Sequence, residues 1–139
     1  MIIRNEHRHV SKNFLESEFF TKDPDFDFDG HFLDGRLIQA VQWLRDHFNV
    51  PIRINSSFRS HEYNLKIGGA KNSFHTKGMA VDISFLKDNR EIIEIIEKEV
   101  RDNGTVRMAL EDIGVKGILF YANFIHLDTR VNFYTRRYS

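Results

Sequence analysis

With 139 residues, 41% hydrophobic and 29% charged, the chain is long enough to bury a core and too apolar to be a disordered segment. Lys plus Arg and Asp plus Glu both number 20, so no net charge draws it to nucleic acid or an anionic membrane. Cysteine is absent, which excludes disulfide scaffolds, thiol nucleophiles and cysteine zinc sites together, and any metal must use His, Asp or Glu.

In chain order, the start from Met1 to His9 has no apolar run of signal-peptide length, and no later segment is long enough to span a bilayer. The expectation is a protein that is cytoplasmic until released, by lysis or a phage route. His7 and His9 have the look of a small metal motif, but so close to a chain end they read as surface. Asp23, Asp25, Asp27, Asp29 and Gly30 suggest an EF-hand loop, yet starting it at Asp25 puts Arg36 where the bidentate glutamate belongs. A surface turn is predicted there instead. Residues 1–30 read as a lead-in packed on the body of one domain spanning 1–139.

A helix is predicted from Gly35 to Phe48, capped by Asp34, because Leu37, Val41, Leu44 and Phe48 recur at helical spacing and Ile38 widens the stripe. Trp43 falls off that stripe. Pro51 to Asn55 alternates like a short strand. Ser60 caps a predicted helix from His61 to Ile67, which Gly68 and Gly69 stop. Ala80 to Ser84 is a second strand, with Val81 and Ile83 on one face and Ala80, Asp82 and Ser84 on the other. Helices are predicted from Asn89 to Asp102 and, capped by Thr105, to Ile113. Gly117 to Tyr121 and Phe124 to Asp128 then form a hairpin through Ala122 and Asn123. Arg130, Arg136 and Arg137 read as solvated surface. The fold class is α+β, a small antiparallel sheet flanked by helices.

Chemistry concentrates in Ser73-Phe-His75-Thr-Lys-Gly78-Met-Ala80-Val-Asp82 and in Phe124-Ile-His126-Leu-Asp128. Two imidazoles and a carboxylate are the protein's share of a catalytic zinc site whose last position stays open for water. Strand alternation presents Asp82 and His126, Gly78 permits a sharp turn after His75, and Ala80 keeps bulk away. Singly, each histidine is more often a structural residue; the joint pattern points to a hydrolase. No Gly-x-Ser-x-Gly elbow suggests a serine enzyme.

Asn55-Ser-Ser-Phe-Arg59-Ser, Asn64, the run from Gly68 to Asp82, and Phe124-Ile-His126-Leu-Asp128-Thr-Arg130 resemble the zinc D-Ala-D-Ala carboxypeptidase family, whose superfamily includes the hedgehog signalling domain. The resemblance spans about Ser11 to Arg130. It implies a hedgehog/DD-peptidase-like fold and a zinc peptidase acting on peptidoglycan stem peptides, a monomer with no nucleic-acid partner. By position it makes His75, Asp82 and His126 the zinc ligands, turns Arg59 toward substrate, and gives Ser73 a hydrogen-bonding role in the site.

The chain departs from many relatives at Asn123, where they carry a glutamate that serves as general base. An amide accepts no proton at neutral pH. Asp128, on the same strand face as His126, is the candidate substitute, with orientation of an imidazole as its competing role. A zinc-containing module without turnover is the alternative that Asn123 keeps open.

Overall fold

Period-two alternation builds the sheet. In the stretch from Ala80 to Phe85, Val81, Ile83 and Phe85 turn inward to the core, and Ile125 with Leu127, and Ile118 with Phe120, do the same on neighbouring segments. The structure, a computed structural model, describes residues 8–19 and 33–138. Its strands are β1 (His9–Ser11), β2 (Phe14–Leu15), β3 (Ile52–Ser56), β4 (Ala80–Phe85), β5 (Gly117–Phe120), β6 (Ile125–Asp128) and β7 (Tyr134–Arg137). The helices are α1 (Gly35–Phe48), α2 (His61–Lys66), α3 (Asn89–Arg101) and α4 (Thr105–Ile113), with 3-10 turns at Glu16–Phe19 and Phe74–Lys77. The aspartate-rich turn at 23–30 and His7 lie outside the described residues, and His9 is exposed.

The main sheet has the order β3-β4-β6-β5-β7, and β1 pairs with β2 in a separate hairpin. Every pairing in the main sheet is antiparallel except β5 with β7, which is parallel. The sheet is therefore mixed rather than purely antiparallel. The difference comes from Arg136 and Arg137, expected as loose surface, which lie in an edge strand whose side chains are all exposed. An exposed strand carries no inward apolar period, so β7 gave no burial signal.

Helices α1, α3 and α4 cover one face of this sheet. Leu37, Val41 and Leu44 of α1, and Ile92, Ile93, Ile96 and Val100 of α3, join the sheet's inward residues in one core cluster that also takes in Phe14 and Phe19. Full burial of each such side chain contributes about 1.5–3 kcal/mol. Truncating Ile83 to Ala, fully buried at the centre, costs about 2–5 kcal/mol.

The helix ends follow local chemistry. Asp34 accepts from the Arg36 amide, and Ser60 from the Tyr63 amide, as predicted. Thr105 is the first residue of α4 rather than its cap: Gly104 holds the cap position, and Glu99 of α3 accepts from the Val106 amide at 3.2 Å. No helix among the described residues is long and apolar enough to cross a membrane. The face of the sheet left bare by the helices carries the site.

Candidate metal centre

Asp82 and His126 are 44 residues apart in sequence and direct cross-strand partners in the β4–β6 pairing. With Val81, Ile83, Ile125 and Leu127 committed to the core, alternation turns both polar side chains to the opposite face. His75 arrives from outside the sheet on the 3-10 turn at 74–77. Ser73 caps that turn, its Oγ accepting from the His75 amide at 3.1 Å, and Gly78 ends it in the left-handed conformation at φ 68°. A residue with a Cβ is disfavoured there.

The three side chains meet. His75 Nε2 lies 3.1 Å and His126 Nδ1 3.0 Å from the same oxygen, Asp82 Oδ1. One donor atom from each residue lies within 4.8 Å of the other two, and all three residues are buried. Donors at about 2.0–2.1 Å around a tetrahedral zinc stand about 3.3 Å apart, so the cluster has nearly the required spacing.

What stands behind each imidazole decides which nitrogen faces the centre. His75 Nδ1–H donates to the Ser57 carbonyl at 2.8 Å; a carbonyl can only accept, so the neutral ring keeps its lone pair on Nε2. His126 Nε2–H donates to Asp128 Oδ2 at 2.8 Å, which leaves the lone pair on Nδ1. Two imidazole lone pairs and a carboxylate oxygen thus converge on one point, an arrangement that repels itself unless a cation sits there. The donor set fits zinc, with the outward nitrogens held as metal-bound histidines require. In the metal-free protein a proton can take the cation's part. Burial lowers the His126 pKa, but hydrogen bonds to Asp128 and Asp82 outweigh it and raise the value overall. Burial likewise raises the Asp82 pKa, and its contacts with His126 and His75 more than reverse it.

Asp128 is fully buried, on the far side of His126 from the centre. Arg130 holds it bidentately, Nε donating to Oδ1 at 2.8 Å and Nη2 to Oδ2 at 2.6 Å. Burial would raise its pKa, yet the Arg130 and His126 contacts bring it down to about 2. Both oxygens are engaged, an arrangement that suits holding the His126 ring better than taking up a proton in the cleft. Arg130 corrects a second expectation, since it is ion-paired and lies over the rings of Phe74 and Tyr134 rather than in solvent. Asn123 is exposed at the hairpin tip, where its carbonyl accepts from Ser84 Oγ and Asn89 Nδ2.

Arg59 flanks the centre. Its Nε donates to Ser56 Oγ at 3.1 Å, Nη1 donates to Asn64 Oδ1 at 3.0 Å, and Nη2 lies 3.6 Å from Asp82 Oδ2. Asn64 is anchored in turn by donating to the Ala70 carbonyl at 2.8 Å, and a Cβ at Gly69 would collide with its Oδ1. These residues open on a cleft of about 420 Å³ that Ser73, His75, Asp82, Tyr121, Phe124, His126, Arg130 and Tyr138 also line. Asp82 is the one carboxylate among the described residues lining it. A larger cavity, about 620 Å³, lies on the helix side between β1, α1 and α4 and contains no histidine, so the chemistry belongs to the smaller one.

Sequence reasoning passed over the Ser57 carbonyl, Gly117 and the aromatic wall of Tyr121 and Tyr138. A backbone carbonyl leaves no trace in residue type. The wall had one faint signal, the alternation Tyr134-x-Arg136-x-Tyr138.

The Peptidase M15 family model matches residues 28–128, most of the chain and all three members of the metal cluster. No curated protein matches it. With a buried His-Asp-His cluster of zinc-like spacing, and with that match, the chain belongs to the peptidase M15 family of metallopeptidases, the zinc D-Ala-D-Ala carboxypeptidase family of its sequence motifs.

Proposed function

We propose that the protein is a zinc-dependent peptidase that hydrolyses peptide bonds in peptidoglycan stem peptides or cross-links. His75 Nε2, Asp82 and His126 Nδ1 would hold the ion. The observation that carries this reading is the convergence of those three donors, with both imidazoles turned inward by the acceptors behind them. A zinc ion bound there supplies a Lewis acid and lowers the pKa of its water toward about 7.

The chain's own residues do the positioning. Arg59, braced by Ser56 and Asn64, offers its fork to the scissile carbonyl oxygen or to a substrate carboxylate. Ser73 keeps the His75 turn in place. Asp128 and Arg130 hold the His126 ring. Burial raises the Tyr121 pKa, so its hydroxyl stays protonated and can donate into the cleft at neutral pH. The enzyme acts as a monomer. It is of endolysin type, cytoplasmic until lysis lets it reach the wall.

A second reading is a zinc-containing binding module of the same fold without turnover. What favours it is the want of an unengaged carboxylate among the described cleft residues. The test is zinc content by elemental mass spectrometry, together with turbidity loss and mass spectrometry of peptides released from purified peptidoglycan. Stoichiometric zinc and released stem peptides, both abolished in His126→Ala, are expected. Zinc-loaded protein that frees no peptide from any stem type would sink the peptidase reading and leave the binding module.

A further inference from the structure

Three rows of side chains cross the bare face of the sheet, and the middle row runs past the metal pair to an arginine. Asp82 pairs with His126, His126 with Leu119, and Leu119 with Arg136. Neighbouring strands are about 4.8 Å apart, so Arg136 is rooted two strands, about 10 Å, from His126 on the same face.

The adjacent row carries a column of rings. Phe124 stacks on Tyr121 with centroids 4.3 Å apart and planes within 8°, and Tyr121 stacks on Tyr138 at 4.8 Å and 7°. The Arg136 guanidinium lies 4.7 Å from the Tyr138 centroid. Pairing of β7 continues through the Tyr138 amide, which donates to the Phe120 carbonyl at 2.7 Å and fixes the ring's root. Phe124, Tyr121 and Tyr138 all line the metal cleft, so the column is a wall leading from the cleft to Arg136.

Arg136 differs from the arginines around it. Arg130 reaches Asp128 and Arg137 reaches Glu97, whereas Arg136 makes no ion pair among the described residues. It is exposed, and the groups bearing on it are the hydroxyls of Tyr134 and Tyr138, to which it hydrogen-bonds. A guanidinium laid on an aromatic ring is partly ordered in advance, and one whose hydrogen bonds go to hydroxyls keeps its charge for an anion.

We propose that Arg136, held on Tyr138, is a second substrate subsite, which binds a carboxylate carried by the peptide beyond the reacting carbonyl, along the wall of rings. This rests on the reading of the chain as a stem-peptide peptidase. An extended peptide advances about 3.3–3.6 Å per residue, so the offset of about 10 Å between the strand positions of His126 and Arg136 corresponds to about three residues. In the stem pentapeptide L-Ala-γ-D-Glu-L-Lys-D-Ala-D-Ala, the D-Glu α-carboxylate lies in this range from the terminal bond. Amidation of that carboxylate removes the charge and little else, so it isolates the contact.

The experiment compares the fluorescein-labelled pentapeptide with its D-isoglutamine form on zinc-loaded wild type, Arg136→Ala and Arg136→Lys. Binding is read before turnover by stopped-flow anisotropy, and hydrolysis separately by chromatography. Arg136→Ala is expected to weaken binding of the carboxylate peptide about fivefold to tenfold and leave the amidated form unchanged, with Lys in between. Wild type should prefer the carboxylate form by a similar factor, less so at high salt. Equal binding of both peptides by wild type, binding of neither, or an equal loss on both in Arg136→Ala overturns the subsite. Absence of product from wild type counts against the peptidase reading alone, since the binding comparison still decides Arg136.

Discussion

The Asp128 carboxylate occupies the space that a Cβ would take on Gly117, its cross-strand partner in the β5–β6 pairing. Position 117 therefore needs glycine for room, not for backbone freedom. Through Asp128 that room reaches His126 and the candidate metal cluster, so a residue with no side chain helps fix the His126 ring on the neighbouring strand.

Gly117→Ala is predicted to push Asp128 off the His126 ring. Stability should fall by about 1–3 kcal/mol, as overpacked sites do, and zinc affinity by about 10–100-fold. Thermal melts and a zinc competition titration measure the two. Gly35→Ala is the matched control, because a Cβ there meets nothing within 4 Å. Wild-type zinc affinity in Gly117→Ala would mean that the Asp128 seat does not matter to the metal.

Asp128→Asn separates orientation from proton transfer. An orienting role predicts zinc binding weakened about 10–100-fold and a kcat, at saturating zinc, within about tenfold of wild type. Loss of a general base costs about 10²–10⁴ in rate however much zinc is supplied. A kcat that stays down by a thousandfold at saturating metal would restore Asp128 to the chemistry, despite its burial.

Removing the metal should destabilise without unfolding. Asp82 can still share protons with His75 and His126, and the core lies on the other face of the sheet. At a zinc concentration of about 100 Kd the ion adds about 2.7 kcal/mol, so chelator should lower the Tm by about 8 °C or more. His126→Ala should melt at one temperature with or without chelator. A wild-type Tm indifferent to chelator would argue against a resident ion.

Acid should release one particular tie. Hydrogen bonds from Arg36 hold the Asp34 carboxyl at about 2, below the ordinary 3.8, and Thr129 also donates to it at 3.0 Å. A carboxyl with a depressed folded-state pKa stabilises the fold above its unfolded pKa and ceases to as pH falls through the folded value. The contribution, on the order of 1 kcal/mol after solvent screening, should be constant from neutral pH to about 4 and vanish toward pH 2. The Tm difference between wild type and Asp34→Asn, followed through that range, tests it; a difference that persists at the acid end contradicts the assignment.

Much of the scaffold was legible in residue order. Helix α1 ends where its stripe and the Asp34 cap place it, and the two strands of the 117–128 hairpin meet across Ala122 and Asn123. These elements rest on local periods of 3.6 and 2 that a short window contains. Strand β7 had no such period, because all its side chains face solvent. The cap of α4 was misplaced because its acceptor, Glu99, comes from another helix. Asp128 was correctly put on the His126 face, but a face does not say whether a carboxylate lies before a ring or behind it.

By itself, then, the sequence determined the donor types, the strands that carry Asp82 and His126, and the glycine-ended turn that carries His75. Each depends on neighbours within a few residues. The tertiary structure alone decided that three lone pairs converge, because the Ser57 carbonyl and the Asp128 carboxylate set the tautomers from behind. It also decided that Gly117 is a seat and that Arg136 falls into line with the metal pair. The physical reason is strand register: it joins residues far apart in the chain through backbone hydrogen bonds that no local pattern encodes.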